Sequence, residues 1–514
     1  MRRTRLLGTT IATALLLAGC TIVGPDFVSP TPDSATSWLT GKGKTPKPPK
    51  SVPVAEPVDP NWWTLFNDPI LTALENRVAA GNLDVQATAF RLAESRAQLG
   101  VAQAAQLPIS HVNSAYTRQK ASNTGQFVLA PDALGASGAS GSTAGGLSGA
   151  RRLNPIDVFQ VGFDASWEID LWGGVKRSIE SATALLDAAA EARRTVLLSS
   201  LAEVARDYIA LRGTQTQLRI ARDNVKTARQ SLSLTQQRAA GGVTTDLDVA
   251  NASAQLRAVT AQIPRLEQQE AAGINALSLL LGQPPQALRA ELETAKPVPP
   301  VPPRVPVGVP SELARRRPDI RQAEARLHSA TADIGVAVAD FYPSVKIGGS
   351  IGLQSVQFAR MFDLNSHMYA GGPGISFPLF EGGRLKATLQ FREAAQQEAA
   401  IAYEKTVLTA WHEVDNAMTA YATEQARRDE LLLAEADNHR ALGLAQSRYQ
   451  QGVADFLAVL DSQRSLLATQ QQLADSTATI SGNLVALYKA LGGGWELDAP
   501  LDTPEKKNEK PAPR

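Results

Sequence analysis

The chain has 514 residues, and its 51 Lys and Arg residues nearly balance 50 Asp and Glu residues. This length suffices for a large buried core and usually indicates roughly two to four domains. The near-zero net charge argues against a globally basic, nucleic-acid-binding surface. The single cysteine, Cys20, excludes an intramolecular disulfide framework and a cysteine-based zinc site.

Residues 1–19 predict the signal peptide of a bacterial lipoprotein. Basic residues precede a 13-residue apolar stretch, Leu6 to Ala18, which is too short for a transmembrane helix but suits a signal-peptide core. The sequence LAGC that ends at Cys20 resembles a lipobox, in which the cysteine is acylated and becomes the mature N-terminus. Thr21 follows in place of Asp and predicts the outer membrane. The alternative is an ordinary signal peptide with an incidental cysteine.

Beyond a Pro-rich linker, the chain repeats itself. Residues 91–110 match residues 326–345 at an offset of 235, and residues 238–247 match residues 448–457 at an offset of 210. The difference requires an insertion, which the Gly- and Ser-rich residues 121–155 supply. The predicted divisions are the lipid-anchored linker 20–61, the first repeat 62–295, the inter-repeat linker 296–310, the second repeat 311–494 and a disordered tail 495–514.

Each repeat has the same predicted order of a short helix, two strands, a long helix and a returning helix. The strand segments alternate apolar and polar residues over about ten positions, which is typical of a strand between lipid and water. The long helices have apolar residues at heptad spacing and should pack laterally in a supercoil, with one glutamine, Gln215 or Gln425, in each apolar seam. The predicted bounds are strands 109–120, 156–168, 344–356 and 367–379, short helices 83–107 and 318–341, and long helices 175–238, 244–281, 383–450 and 453–491.

Four membrane strands cannot close a barrel, because about eight strands is the smallest closed number. An open sheet edge in lipid leaves backbone groups without hydrogen bonds, at a cost of several kcal/mol each. The sequence therefore predicts an oligomer, and three chains would supply about twelve strands.

Several motifs resemble those of TolC-like outer-membrane efflux proteins, and more narrowly of the NodT/OprM-type lipoprotein channels of RND tripartite pumps. They are LAGC, the VGPDF after it, WEIDLWGGVKR (167–177), RRRPDIRQAEARL (315–327) and FPLFEGGR (377–384). The resemblance implies a mixed α+β membrane protein, a homotrimer whose shared twelve-strand outer-membrane barrel continues into a periplasmic α-barrel of coiled helices. It also implies a passive exit duct for drugs or other small toxic molecules, without catalysis, cofactor, bound metal or nucleic acid. Its partners would be a periplasmic adaptor, an inner-membrane RND pump and outer-membrane lipid.

A charged group follows the second helix reversal. Leu457, Asp461 and Arg464 lie at i, i+4 and i+7 and so share one helix face. The first repeat has uncharged residues there, namely Leu247, Asn251 and Ala254. The charges are either a solvated surface pair or, if the second hairpin lines the pore, a constriction in which Arg464 bridges Asp461 to a neighbouring helix. The resemblance implies that these three residues form the periplasmic gate.

The two helix reversals are the expected adaptor-facing tips, and a glycine there permits the left-handed conformation of a tight reversal. Their shared residues are Arg238, Gly242 and Val243 in the first copy and Arg448, Gly452 and Val453 in the second.

Other functions remain open from the sequence alone. A channel for type I protein secretion or for metal-ion efflux would have the same fold, whereas a coiled-coil adhesin would lack alternating strands. Residues 348–352 fit the G-x-S-x-G hydrolase pattern with Ser350, but that motif needs a strand, a turn and a helix, and here strand alternation continues through it. The five histidines show no spacing that indicates a metal site. In RRRPD, Pro318 is expected at a first helical position and Asp319 at the positive helix N-terminus.

Overall fold

The computed structural model describes residues 22–31, 50–120, 155–309, 313 and 315–497. Cys20, the signal peptide and most of the predicted insertion lie outside the described residues. The chain forms two compact units. The first comprises residues 22–29, 94–120, 155–187 and 325–401, and the second comprises the remaining described residues.

The elements from the first linker through the first repeat to the inter-repeat linker are β1 Val52–Val54, α1 Pro69–Gly81, α2 Leu83–Ala104, β2 Ile109–Gln119, β3 Ile156–Ile169, α3 Gly174–Ala240, α4 Asp246–Thr260, α5 Gln262–Leu280, the one-turn α6 Arg289–Leu292 and β4 Arg304–Pro306. Those of the second repeat are α7 Pro318–Ala339, β5 Ser344–Ser355, β6 His367–Ser376, α8 Arg384–Gln450 and α9 Phe456–Ala490. Short 3₁₀ turns occur at Trp62–Phe66, Phe358–Arg360, Leu364–Ser366 and Trp495–Leu497. Within the described residues, none of the helices combines the length and the apolar composition that a membrane span needs.

The first unit contains a four-stranded antiparallel sheet in the order β2-β3-β5-β6. Its register aligns apolar residues across all four strands, because Phe163 lies opposite Val112 and Ile351, which in turn lies opposite Tyr369. These four side chains are all exposed in the single chain. Since side chains alternate between faces along a strand, the sheet has one apolar and one polar face.

The predicted return helix 244–281 is wrong as a single element, because α4 ends at Thr260 and α5 begins at Gln262. Pro264 explains the break. It has no N–H to donate to the Thr260 carbonyl, and its ring crowds that carbonyl. The matching helix of the second repeat has no proline and continues as α9.

The two Pro-rich linkers are not simply extended spacers. Strand β1 of the first linker pairs in parallel with β4 of the second, with Val52 opposite Arg304. Ser51 of the first linker is buried: its N–H donates to Gln425 Oε1 at 3.1 Å, and its Oγ accepts from Tyr421 at 2.7 Å. Gln425 interrupts the apolar seam of α8 because it binds this linker.

The matching glutamine of the first repeat has a related role. Gln215 is buried, and its Nε2 donates to the Leu292 carbonyl and to Glu270 Oε1, each at 2.8 Å. Arg212 donates to the same Leu292 carbonyl at 3.2 Å. The polar positions in the two seams therefore bind neighbouring chain segments by hydrogen bonds.

The predicted disordered tail begins too early, because residues 495–497 form a packed 3₁₀ turn. Trp495 Nε1 donates to the Arg316 carbonyl at 3.1 Å, and the Arg194 guanidinium carbon lies 4.8 Å from the Trp495 ring centroid. Glu496 pairs with Arg316 at 2.9 Å. An aromatic ring over a guanidinium and a paired carboxylate hold this turn in place.

Candidate functional site

The first tip turn, residues 238–245, reverses the chain between α3 and α4. The Val243 N–H donates to the Arg238 carbonyl at 2.9 Å, and the Gly242 N–H donates to the Ala239 carbonyl at 2.9 Å. Gly242 has a φ of 69°. This hydrogen-bond pair and the left-handed residue are the Schellman motif of helix ends, so the backbone itself requires the glycine.

The second tip turn, residues 448–455, has the same geometry between α8 and α9. The Val453 N–H donates to the Arg448 carbonyl at 2.9 Å, and the Gly452 N–H donates to the Tyr449 carbonyl at 3.0 Å. Gly452 has a φ of 76°. The two tip turns, which match in sequence, therefore also have the same backbone conformation.

Both turns present apolar side chains to solvent. Each turn carries an exposed valine, and each following helix carries an exposed leucine one turn later. The exposed fractions are 65% for Val243, 67% for Leu247, 64% for Val453 and 58% for Leu457. Exposed apolar clusters of this kind are typical of interaction surfaces.

Arg238 joins the first hairpin (α3 and α4) to the second (α8 and α9). Its Nη1 donates to the Tyr449 carbonyl at 2.7 Å and to the Gln450 carbonyl at 3.1 Å. Its guanidinium carbon lies 4.6 Å from the Tyr449 ring centroid. A cation at a helix C-terminus satisfies carbonyls that lack a helical partner and interacts favourably with the helix dipole. The sequence did not reveal this role, because Arg238 and Arg448 stand at matching positions.

Apolar packing also connects the hairpins near the tips. A buried cluster includes Ala252 of the first hairpin and Tyr449, Phe456 and Leu442 of the second. The rings of Tyr449 and Phe456 meet edge to face, with centroids 5.5 Å apart. Leu234 of the first hairpin packs against the same cluster.

The structure brings the three predicted gate residues onto one exposed face of α9. The opposite face of the helix is buried and includes Val459 and Leu466. Arg464 Nε donates to Gln255 Oε1 of α4 at 3.1 Å. In the described part of the single chain, Asp461 and Arg464 form no ion pair with each other. Within one chain Arg464 therefore bonds to the neighbouring helix α4, and its bridge to Asp461 stays a prediction.

The remaining sequence motifs have structural explanations. Strand β5 runs without a turn through the G-x-S-x-G residues 348–352, so Ser350 is not on the strand–turn–helix elbow that hydrolases use. Helix α7 begins at Pro318, and the Ile320 N–H donates to Asp319 Oδ1 at 3.0 Å.

Arg317, in the same RRRPD motif, is buried and binds three groups. Its Nε and Nη2 donate to the Asp319 carboxylate at 3.0 and 2.7 Å. Its Nη1 donates to Glu413 at 2.7 Å and to the Ala490 carbonyl at 2.9 Å. Burial alone would lower the pKa of this guanidinium, but the bonds to Asp319 and Glu413 outweigh it and raise the pKa. The sequence missed this role because Glu413 and Ala490 are far from Arg317 along the chain.

The VGPDF motif is fixed to the first unit by Arg177, the last residue of WEIDLWGGVKR. The Arg177 Nη2 donates to Asp26 at 2.6 Å, and its Nε donates to the Val23 carbonyl at 3.2 Å. Gly24 has a φ of 88°, and a Cβ on it would lie 2.5 Å from the Gly335 Cα. Only glycine fits this close approach, so the motif serves to seat the segment that follows Cys20.

The chain is similar over nearly its whole length to outer-membrane proteins of export systems. The pyoverdine export outer membrane protein OpmQ of Pseudomonas putida is 35% identical over 86% of this chain and 90% of its own. The toluene efflux pump outer membrane protein TtgF of Pseudomonas putida is 31% identical over 95% of this chain and 96% of its own.

Solved structures agree with this similarity. The outer-membrane channel OprN superposes with a TM-score of 0.81 at 31% identity and covers 92% of this chain and 100% of its own. The family model for outer membrane efflux proteins matches residues 74–283 and 309–493, which correspond to the two repeats. The expected TolC-like α+β fold is thereby confirmed. The chain belongs to the outer membrane efflux protein family, whose members are transport proteins in the outer membrane of Gram-negative bacteria.

Proposed function

We propose that the chain is the exit duct of a tripartite RND-type efflux system, in which a homotrimer passes small molecules outward without chemistry of its own. The observation that carries the proposal is the incomplete sheet. Among the described residues, strands β2 and β6 each pair on one side only, and one face exposes an apolar row that includes Phe163 and Ile351. Lipid can cover that row, but only further strands can satisfy the open edges. Three copies supply them in a closed ring.

The N-terminus of the duct is anchored in the outer membrane through acylation of Cys20. The VGPDF segment that follows is held by Arg177, so the anchor is attached to a fixed point of each chain. Two or more acyl chains give stable attachment, whereas a single chain gives only reversible binding.

The tips face the periplasm and receive the adaptor. Exposed Val243 and Val453 lie at the two turns, where an apolar contact from a partner would remove them from water. Such contacts are favourable, because removing apolar surface from water contributes about 25 cal/mol per Å². The energy for transport comes from the inner-membrane pump.

The cargo is a small molecule selected by the pump. Relatives carry names as different as pyoverdine export, toluene efflux and antibiotic efflux. Cargoes this diverse share a similar outer-membrane component, which favours a wide conduit over a selective binding site.

Deletion of the gene tests this function. We expect a strain without the chain to become several-fold more susceptible to toluene, antibiotics and dyes, and a plasmid copy to restore tolerance. The solubilised protein should have three times the mass of one chain. Unchanged susceptibility together with loss of a secreted protein would instead support the type I secretion alternative.

The predicted gate has its own test. We expect Asp461→Ala and Arg464→Ala channels to show several-fold higher mean conductance in planar bilayers, because in this proposal the pairing of Asp461 by Arg464 near the three-fold axis holds the tip closed. Asn251→Ala, the uncharged counterpart in the first repeat, is the matched control and should behave as the parent chain. Mostly closed, unchanged Asp461→Ala and Arg464→Ala channels would rule out the gate.

A further inference from the structure

The internal repeat gives the two hairpins matching faces, but a single chain covers only one of them. On α3, Leu234 packs against the buried cluster of the second hairpin, and Arg238 caps the end of α8. At the offset of 210, their counterparts on α8 are Leu444 and Arg448. Leu444 is 60% exposed and Arg448 is also exposed. Within the described residues, the Arg448 side chain forms no hydrogen bond or ion pair.

The uncovered face of α8 extends beyond these two residues. Leu433, Arg440, Leu444 and Arg448 are spaced by seven, four and four residues and so lie along one side of the helix. Leu433 is 63% exposed. A row of leucines and arginines on one side of a long helix is typical of a helix–helix contact.

The surface that would receive this face is also present and uncovered. Helix α3 ends at Ala239 and Ala240, the counterparts of Tyr449 and Gln450 whose carbonyls bind Arg238. The Ala239 carbonyl accepts the Gly242 N–H at 2.9 Å. The Tyr449 carbonyl accepts both the Gly452 N–H and Arg238, so a carbonyl in this turn can bind an arginine in addition to its turn hydrogen bond.

We propose that Arg448 caps the C-terminus of α3 in a second copy of this chain, donating to the carbonyls of Ala239 and Ala240. This inference rests on the proposed homotrimer and assigns one of its contacts. The second hairpin of one copy would meet the first hairpin of the next, which is a head-to-tail contact that closes into a ring. Around the tip, caps by Arg238 within a chain would alternate with caps by Arg448 between chains.

The two caps differ in one respect. Arg238 lies over the Tyr449 ring, whereas the counterpart of Tyr449 is Ala239, which has no ring. The cap between chains therefore lacks the cation–π contact, an interaction worth about 0.5–1 kcal/mol at an exposed site. When an adaptor opens the tip, the hairpins of different chains should separate before the hairpins of one chain.

Cross-linking between two differently tagged copies tests the proposal. One copy carries Arg448→Cys and the other carries Ala240→Cys, and cells that produce both are treated with a short bismaleimide. We expect a product of two chains that contains both tags. The parent chain, whose single cysteine is Cys20, shows any background from that thiol.

Two matched pairs define the result. Arg238→Cys with Gln450→Cys in one chain should link internally and keep the mass of one chain. His439→Cys, nine residues from Arg448 and so on the opposite side of α8, should give no two-chain product with Ala240→Cys.

The proposed cap would be overturned if the two-tag product is absent although the internal pair forms its cross-link. It would also be overturned if a photoreactive residue at position 448 captures only the adaptor. In each case the mass of the solubilised complex separates the two proposals. A complex of three chains without the link contradicts only the Arg448 cap, whereas a single chain contradicts the proposed trimer itself.

Discussion

Arg317→Ala is expected to lower the free energy of unfolding by about 3 kcal/mol. Removing one partner of a buried ion pair costs roughly 3–5 kcal/mol, and the lower value applies because Asp319 and Glu413 keep 30% and 49% of their side-chain exposure. The change also leaves the Ala490 carbonyl, at the end of α9, without the Arg317 donor. Since α7, α8 and α9 all contact this guanidinium, the loss should destabilise the packing of all three helices.

The measurement is the midpoint of thermal unfolding of the solubilised protein at one fixed scan rate, because unfolding of large proteins is often irreversible. Arg315→Ala is the matched control: it removes an exposed arginine of the same motif and should change stability by at most about 0.5 kcal/mol. Arg317→Lys should recover only part of the loss, since an ammonium cannot reproduce the bidentate bond to Asp319. Equal midpoints for Arg317→Ala and Arg315→Ala would show that the buried contacts add no stability.

The strands were the part of the fold that the sequence specified best. Alternation between apolar and polar residues depends on neighbouring positions alone, and β3 and β5 occupy residues 156–169 and 344–355. The predicted bounds were 156–168 and 344–356. The partner of each strand could not be known in this way, because the pairs between β3 and β5 join residues 176 to 196 positions apart.

The predictions from sequence were wrong where one residue outweighed a regular pattern. They were incomplete where a contact joins residues that are distant along the chain. Pro264 stands in a helical pattern that otherwise continues, so periodicity alone predicts one helix where the structure has α4 and α5. The pairing of β1 with β4 involves three residues on each side, which is too short for a periodic signal. Composition indicated only that both segments are Pro-rich.

In the candidate site too, local features could be predicted from the sequence and distant contacts could not. The repeat located both tip turns, because a glycine at a left-handed position leaves a local mark in the sequence. It did not predict that Arg464 would bind Gln255 or that Arg238 would cap α8, since both contacts depend on how two hairpins pack. Identical residues at Arg238 and Arg448 have different surroundings within one chain, and a sequence comparison cannot distinguish them.

Glu75 is a buried acid that has no hydrogen-bond partner among the described residues, and we expect it to make the stability of the protein depend on pH. It lies on α1 between Leu74 and Val78 on the buried side, is 0% exposed, and neither carboxylate oxygen has a hydrogen-bond partner in the described chain. Burial raises the pKa of Glu75 well above its ordinary value, because the charged form loses its hydration. At pH values between the ordinary pKa and the raised pKa, the folded protein therefore holds a proton that the unfolded chain releases.

We expect Glu75→Gln to be about as stable as the parent chain near pH 4 and increasingly more stable as the pH rises. Below the unfolded pKa both states are protonated, so Glu75 has no effect there. Above it the folded state binds one more proton than the unfolded state, and the parent chain loses about 1.4 kcal/mol per pH unit. This loss of stability stops at the raised pKa of the folded state.

Thermal midpoints between pH 4 and pH 9 measure the difference. The control is Glu291→Gln, which removes an exposed pair with Arg77. Parallel midpoint curves for Glu75→Gln and the parent chain would show that Glu75 is ionised in the folded protein, which requires a counter-charge or water beside it. A gap that widens with pH would show that the buried side of α1 tolerates the Glu75 carboxyl only while that group is neutral.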